Sequence, residues 1–146
     1  MADRVLGDQE IQDRFAIEDL YDRQLAAAES WDLDVYDTTF TPDAQIDLRD
    51  FGHPVRRYPE YRTWLASLQP VMPRAQRITG GLRLHVDGDA ATTRVPVACF
   101  VHFDTGDGAQ LTYTGLFYND TLRRTPDGWR IATRYEELAW QGGPKE

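Results

Sequence analysis

The chain has 146 residues with 24 acidic and 16 basic side chains, a formal net charge of −8, and that length suits one domain with its own core. At 41 % hydrophobic and 27 % charged it is too apolar for a disordered chain, and its acidity excludes nucleic-acid partners, whose phosphates require clustered Lys and Arg. The lone Cys99 excludes an internal disulfide or a cysteine-built zinc site, and no run approaches the roughly 18 apolar residues of a membrane span or forms a signal core, so a cytoplasmic protein without membrane contact is expected.

Asp8 is the expected N-cap of a first helix, and Ile11, Phe15, Leu20 and Tyr21 begin an apolar stripe at spacings of three and four. Gln24, Leu25, Ala28 and Glu29 continue along much the same side. A second short helix is predicted from Asp32 to Phe40, ended by a Thr41-Pro42-Asp43 turn. A third starts near Pro59 and stops before Pro70, with Tyr61, Trp64, Leu65 and Leu68 on its apolar side. The second half reads as strands: Ala44 to Leu48, Arg77 to Val86, Ala90 to Phe103, Leu111 to Arg124 and Trp129 to Leu138. Asp87-Gly88, Thr105 to Ala109 and Pro126-Asp127-Gly128 supply the turns. No repeat or linker divides the sequence, which predicts one domain over 1–146, its core over about 10–138, with short flexible tails. Helices followed by a meander of long antiparallel strands imply an α+β domain with helices on one face of a curved sheet.

Strand alternation carries a further expectation. Val95, Val97, Cys99, Val101 and Phe103 share one face; Pro96, Ala98, Phe100 and His102 share the other. Both faces are too apolar for water. Helices cover one, and a second copy of the chain covers the other, giving a homo-oligomer (dimer or trimer) through the outer sheet face.

Three stretches carry a family resemblance: IEDLYDRQLAAAESWDLDVYDTTFTPDAQIDLRDF at 17–51, AQRITGG at 75–81 and YNDTLRRTPDGWRIATR at 118–134. In order and spacing they resemble SnoaL-like proteins of the nuclear transport factor 2-like superfamily. The fold implied is a cone of curved antiparallel sheet closed by three N-terminal helices around an apolar pocket. IDLRDF at 46–51 and AQRITGG look like scytalone dehydratase, and AIEDLYDRQL at 16–25 looks like hexachlorocyclohexane dehydrochlorinase. Both are lyases that need no cofactor, and none is implied here. The dehydratase's helix-end tyrosine and aspartate fall on Ala28 and Glu29, its tyrosine after the first strand on Leu48, and its second histidine on His102. Its other histidine, which is also the dehydrochlorinase base, falls on Arg77. Tyr118 and Asp120 fall where many SnoaL-like sequences carry Tyr-x-Asp. Arg77 departs from the pattern, because a guanidinium stays protonated and cannot be a general base.

The resemblance points His102 into the pocket, where an imidazole near neutral pH suits proton transfer; the alternative is a strand-end histidine bonded to a carboxylate. Asp120 is the second expected catalytic group, orienting His102 or sharing its proton, unless it pairs with Arg134 or Arg77. Glu29 is a third titrating group or a solvated helix-end charge, and facing one cavity Glu29 and Arg77 would form an ion pair. Arg77 and Tyr118 would hold a substrate oxygen. Gln24, Leu25, Ala28, Leu48, Trp64, Leu68 and Phe100 would line the substrate site. His53, in the loop FGHPVRRYP, is exposed or gates the pocket, and the three histidines lack metal-ligand spacing, so no metal is expected. The activity implied is a lyase (dehydratase), isomerase or cyclase acting by acid/base chemistry on a small hydrophobic, oxygenated molecule. The alternative is a non-catalytic ligand-binding or oligomerisation module of the same fold.

Overall fold

The computed structural model describes residues 2–144. Of the expected tails, Met1, Lys145 and Glu146 lie outside the described residues, and residues 2–7 carry no regular structure. Helices α1 (Asp8–Ser30), α2 (Leu33–Asp37) and α3 (Tyr58–Ser67) pack on a seven-stranded sheet. The strands are β1 (Phe40–Asp47), β2 (Arg56–Arg57), β3 (Arg74–Thr79), β4 (Arg83–Asp87), β5 (Ala90–Asp104), β6 (Ala109–Thr125) and β7 (Gly128–Gly142). Their order is β2-β1-β7-β6-β5-β3, with β4 beside β3 along β5. This is the expected α+β architecture, a curved and non-closed sheet with three helices. One feature departs from the all-antiparallel expectation: β1 runs parallel to β7, so the sheet is mixed. Among the described residues no helix is long and apolar enough to cross a membrane.

The helical start and core stripe shift from expectation. Gly7, not Asp8, is the N-cap of α1, without a side-chain cap. Ile11 and Phe15 are solvent-facing, while Ile17, Leu20, Tyr21, Gln24 and Ala27 form the buried stripe. Asp32 caps α2, its carboxylate accepting from Val35 N at 3.2 Å. The predicted Thr41-Pro42-Asp43 turn is instead part of β1. The register against β7 jumps between Phe40 and Gln45, so the irregular stretch carries Pro42 where its missing N–H breaks no ladder bond. The expected strand from Arg77 to Val86 is two strands, β3 and β4, broken at Gly80-Gly81. A side chain on Gly80 would meet Pro96 Cγ at 2.7 Å, so the chain can pass β5 this closely only as glycine.

Two register shifts in the β6–β7 pair, at Gly115/Leu116 and Thr121/Leu122, bend the long hairpin. The bend wraps the sheet around α1. At the closed end Ile17 and Leu20 pack with Ile46, Leu122 and Ile131, all with exposure of 1 % or less. Toward the other end the sheet and helices diverge and leave a cavity.

Candidate functional site

The cavity has a volume of about 280 Å³, close to the lower end of ~300–1,000 Å³ for small-molecule sites. Its wall draws on every layer: Gln24, Leu25, Ala28 and Trp31 from α1 and its end, Tyr36 from α2, Tyr61, Trp64, Leu65 and Leu68 from α3, and the inward faces of β3, β5, β6 and β7. Trp31 ends α1 in the left-handed region, at φ 57°. This non-glycine strain of about 1–3 kcal/mol places the indole in the wall, where its N–H donates to Met72 O at 3.2 Å.

Eight of the twelve expected site residues line the cavity: Gln24, Leu25, Ala28, Leu48, Trp64, Leu68, Arg77 and Tyr118. His53 also lines it, its ring 4.8 Å from that of Trp64. Four expected residues do not. On β5 the residues that reach the cavity are Cys99, Val101 and Phe103, so Phe100 and His102 point to the outer face. This corrects the expected orientation of His102, which does not line the cavity. Alternation fixes that two sets of side chains oppose each other, but both sets on β5 are apolar and give no sign of which is inside.

Glu29 is exposed, and Oε1 accepts the backbone N–H of Arg77 at 2.9 Å. The expected Glu29–Arg77 ion pair is therefore replaced by a main-chain bond that ties the end of α1 to strand β3. Asp120 shares a face with Tyr118 as expected, yet it is locked into the closed end of the cone. Its carboxylate takes a bidentate pair from Arg134, Nε and Nη2 each at 2.9 Å, and a third bond from the Tyr21 hydroxyl. Tyr21 also bonds the Thr93 hydroxyl at 2.6 Å. The Arg134 guanidinium in turn lies 3.7 Å over the Tyr118 ring, so this buried network forms the floor against which Tyr118 is held.

Glu136 is the group sequence reasoning missed. It stands opposite Tyr118 in the β6–β7 ladder and lines the cavity. Burial pushes its carboxyl above the usual carboxylate range, and the charges of Arg134 and Arg77 pull only part of that back. No hydrogen bond to it forms among the described residues. The Arg77 side chain, entering from β3 on the far side of β5 and β6, is likewise without an ion pair or hydrogen bond among the described residues. The sheet's curvature turns this cation and this carboxylate toward one hollow without joining them. A signal for Glu136 exists in the sequence: Arg134-x-Glu136 has the same two-residue step as Tyr118-x-Asp120, and the two steps lie in register. Three phenols add to the polar lining, as do Thr112, Thr114 and Gln141. Tyr36 and Tyr61 hydroxyls are 3.3 Å apart, and burial raises the pKa of both and of Tyr118, so all three are neutral donors at ordinary pH. Cys99 stands opposite Arg77, its thiol pushed up by burial and therefore a weak nucleophile.

Such a site can do two things: hold an anionic oxygen on a guanidinium or a phenol, and exchange a proton through a carboxyl whose pKa is raised above the usual carboxylate range. Comparison with known proteins agrees with the architecture. A scytalone dehydratase candidate of Novosphingobium aromaticivorans superposes with a TM-score of 0.84 over 97 % of this chain and 93 % of its own, at 12 % identity. The hexachlorocyclohexane dehydrochlorinase LinA-type3 of Novosphingobium barchaimii gives 0.78 over 92 % and 91 %, at 20 % identity. At these identities the likeness is one of fold. An uncharacterized protein of Mycobacterium tuberculosis is 39 % identical over 133 residues, 90 % of this chain and 89 % of its own. Residues 9–135 match the SnoaL-like domain pattern, and the chain belongs to that family.

Proposed function

We propose that the protein is a cofactor-independent enzyme that moves a proton to or from carbon in a small, apolar, oxygenated molecule, as a lyase of the dehydratase type, an isomerase or a cyclase. The observation that carries this reading is the convergence of Glu136 and Arg77 on one apolar cavity, each without a hydrogen-bond or ion-pair partner among the described residues. A substrate carbonyl oxygen bonds Arg77 or a neighbouring phenol, which makes the adjacent C–H acidic. The Glu136 carboxylate takes that proton, and the negative charge moves to the oxygen on the guanidinium. In a dehydration, the C–O bond to a β-hydroxyl then breaks. The protonated Glu136 returns its proton to the departing hydroxide, so water leaves and the carboxylate is restored. Apolar walls from Leu25, Trp64 and Leu68 keep solvent from quenching the enolate. The fold neighbours named as dehydratase and dehydrochlorinase support an elimination within the class, and the raised pKa of Glu136 suits both halves of the cycle.

The test is proton exchange in deuterated water, read by NMR on a panel of enolisable aryl ketones and β-hydroxy ketones. The wild-type protein is expected to catalyse exchange or water loss with a pH profile set by one raised carboxyl. Glu136→Gln should lower kcat about 10²–10⁴-fold, and Arg77→Met about 10²–10³-fold. A folded Glu136→Gln protein with full activity would remove the carboxylate from the mechanism. Ligand binding by the wild type with no exchange on any member of the panel would favour the binding-module alternative.

A further inference from the structure

The wall contributed by α1 holds a polar atom that the acid/base reading does not use. Gln24 is 1 % exposed and lines the cavity. Its amide has one defined hydrogen bond: Nε2 donates to Thr39 Oγ1 at 2.7 Å. The direction of that bond follows from the next one. Thr39 Oγ1 lies 2.7 Å from the carbonyl oxygen of Tyr36, and a carbonyl only accepts, so the hydroxyl proton is committed there. Thr39 can therefore only accept from Gln24, which fixes the amide with NH₂ toward Thr39. Flipping the amide would set two acceptors against each other. Oε1 is left buried with no hydrogen-bond partner among the described residues. A buried carbonyl oxygen without a partner costs about 1–3 kcal/mol.

We propose that Gln24 is a specificity residue: its fixed Oε1 accepts a hydrogen bond from a hydroxyl of the ligand. The proposal rests on the cavity being the binding site described above and adds the class of molecule it selects, an apolar compound bearing an O–H donor. Arg77 presents only donors, and the carboxylate of Glu136 is reserved for the proton that moves. Thr112, Thr114 and Gln141 give the sheet side of the wall neutral polar groups of its own, and Gln24 is the neutral acceptor that α1 contributes, the one held in a single orientation by Thr39. A ligand satisfying both sides has an oxygen acceptor at the sheet and a hydroxyl at α1. Replacing that hydroxyl by a methyl group leaves Oε1 unpaired inside the complex, and sites built this way discriminate strongly against the analogue lacking the donor.

The experiment reads binding rather than turnover, so its failure is distinct from a failure of Glu136 as proton carrier. Affinities of 4-ethylphenol and 4-ethyltoluene, a hydroxyl-for-methyl pair, are measured by titration calorimetry or ligand-detected NMR on the wild type, Gln24→Leu and Thr39→Val. The wild type is expected to prefer the phenol about tenfold. In Gln24→Leu the preference should fall to about twofold or less, mainly through gain of 4-ethyltoluene. Thr39→Val retains the amide but releases its orientation, and should also weaken the preference. Folded variants that both keep the wild-type ratio would overturn the proposal, showing that another group reads the hydroxyl or that Oε1 keeps a bound water in every complex. A wild type that takes neither probe, or both equally, would overturn it as well.

Discussion

The two ends of the cone treat charge in opposite ways. At the closed end Asp120 faces Arg134 in a bidentate pair completed by Tyr21. Asp13 accepts two bonds from Arg124 and one from the Trp129 indole. At the open end Arg77 and Glu136 share a cavity and neither meets a partner among the described residues. Removing a charge from water is costly, and the closed end offsets that cost locally with hydrogen bonds. The open end leaves it standing, which is the state expected of groups whose partner is a ligand. The groups that stabilise the fold and those of the proposed site thus alternate along two strands, Asp120 and Tyr118 two apart on β6 and Arg134 and Glu136 two apart on β7, while Arg77 reaches the cavity from β3.

The largest effect expected from breaking this contrast is on the closed side. Asp120→Ala leaves the Arg134 guanidinium, 3 % exposed, without its counter-charge, and should cost about 3–5 kcal/mol in a denaturant titration. It should also loosen Tyr118, over whose ring Arg134 lies. A loss below ~1 kcal/mol would mean that Arg134 has an alternative partner and that the two ends do not differ as described.

A smaller effect, of opposite sign at the two ends, comes from pH. The hydrogen bond from Arg124 lowers the pKa of Asp13 against the opposing pull of burial. The folded state therefore holds its ionised form, and the resulting stability is present above the unfolded carboxylate value and lost as pH falls through the lowered one. Glu136 is raised by burial, so the folded state prefers it protonated. Its ionisation weakens the fold as pH climbs from the unfolded carboxylate value through the raised one. Asp13→Asn should cost about 1–3 kcal/mol at pH 7, with the deficit shrinking below pH ~4. Glu136→Gln should stabilise by about 0.5–2 kcal/mol at pH 7, with the gain disappearing toward pH ~4.5. Thermal melts of both variants from pH 3.5 to 8 read the two curves, and parallel curves would contradict the contrast.

How far the sequence displays this division depends on which physical signal each feature leaves. The helices and the long hairpins are legible because α1 and β5 to β7 carry periodic apolar residues and glycine-bearing turns. The parallel β1–β7 pairing leaves no local signal, since it depends on a register bulge beside Pro42 and on long-range closure. Most of the cavity wall on α1 and α3 is legible for the same reason as the helices themselves. The catalytic side is less so. His102 is chemically attractive, yet its orientation is decided by which of two apolar faces of β5 meets the helices. Glu136 looks like one acid among the Glu136-Glu137 pair, and only its position opposite Tyr118 shows that it turns into the cavity while Glu137 binds Arg94 on the other face.

The smallest expected effect is the one that tests this correction. His102 sits on the outer face of β5, opposite Leu111 on β6 and beside Phe100, which is opposite Tyr113. Ile78, Leu111, Tyr113 and Trp140 are 40–55 % exposed, and Trp140 lies across Gly115, where a side chain would meet its ring at 2.1 Å. We propose that a second copy of the chain covers this face, because so continuous an apolar surface is otherwise left to water. His102→Ala then removes a ring from the contact between copies but no group from the cavity. Turnover per protomer should stay within about twofold of wild type, since surface changes away from a site are typically worth no more than ~0.5 kcal/mol. Sedimentation should show the wild type as an oligomer and the variant the same or weaker. A hundredfold loss of turnover in a variant that still assembles would return the imidazole to the chemistry, and a monomeric wild type would leave the outer face without the occupant proposed for it.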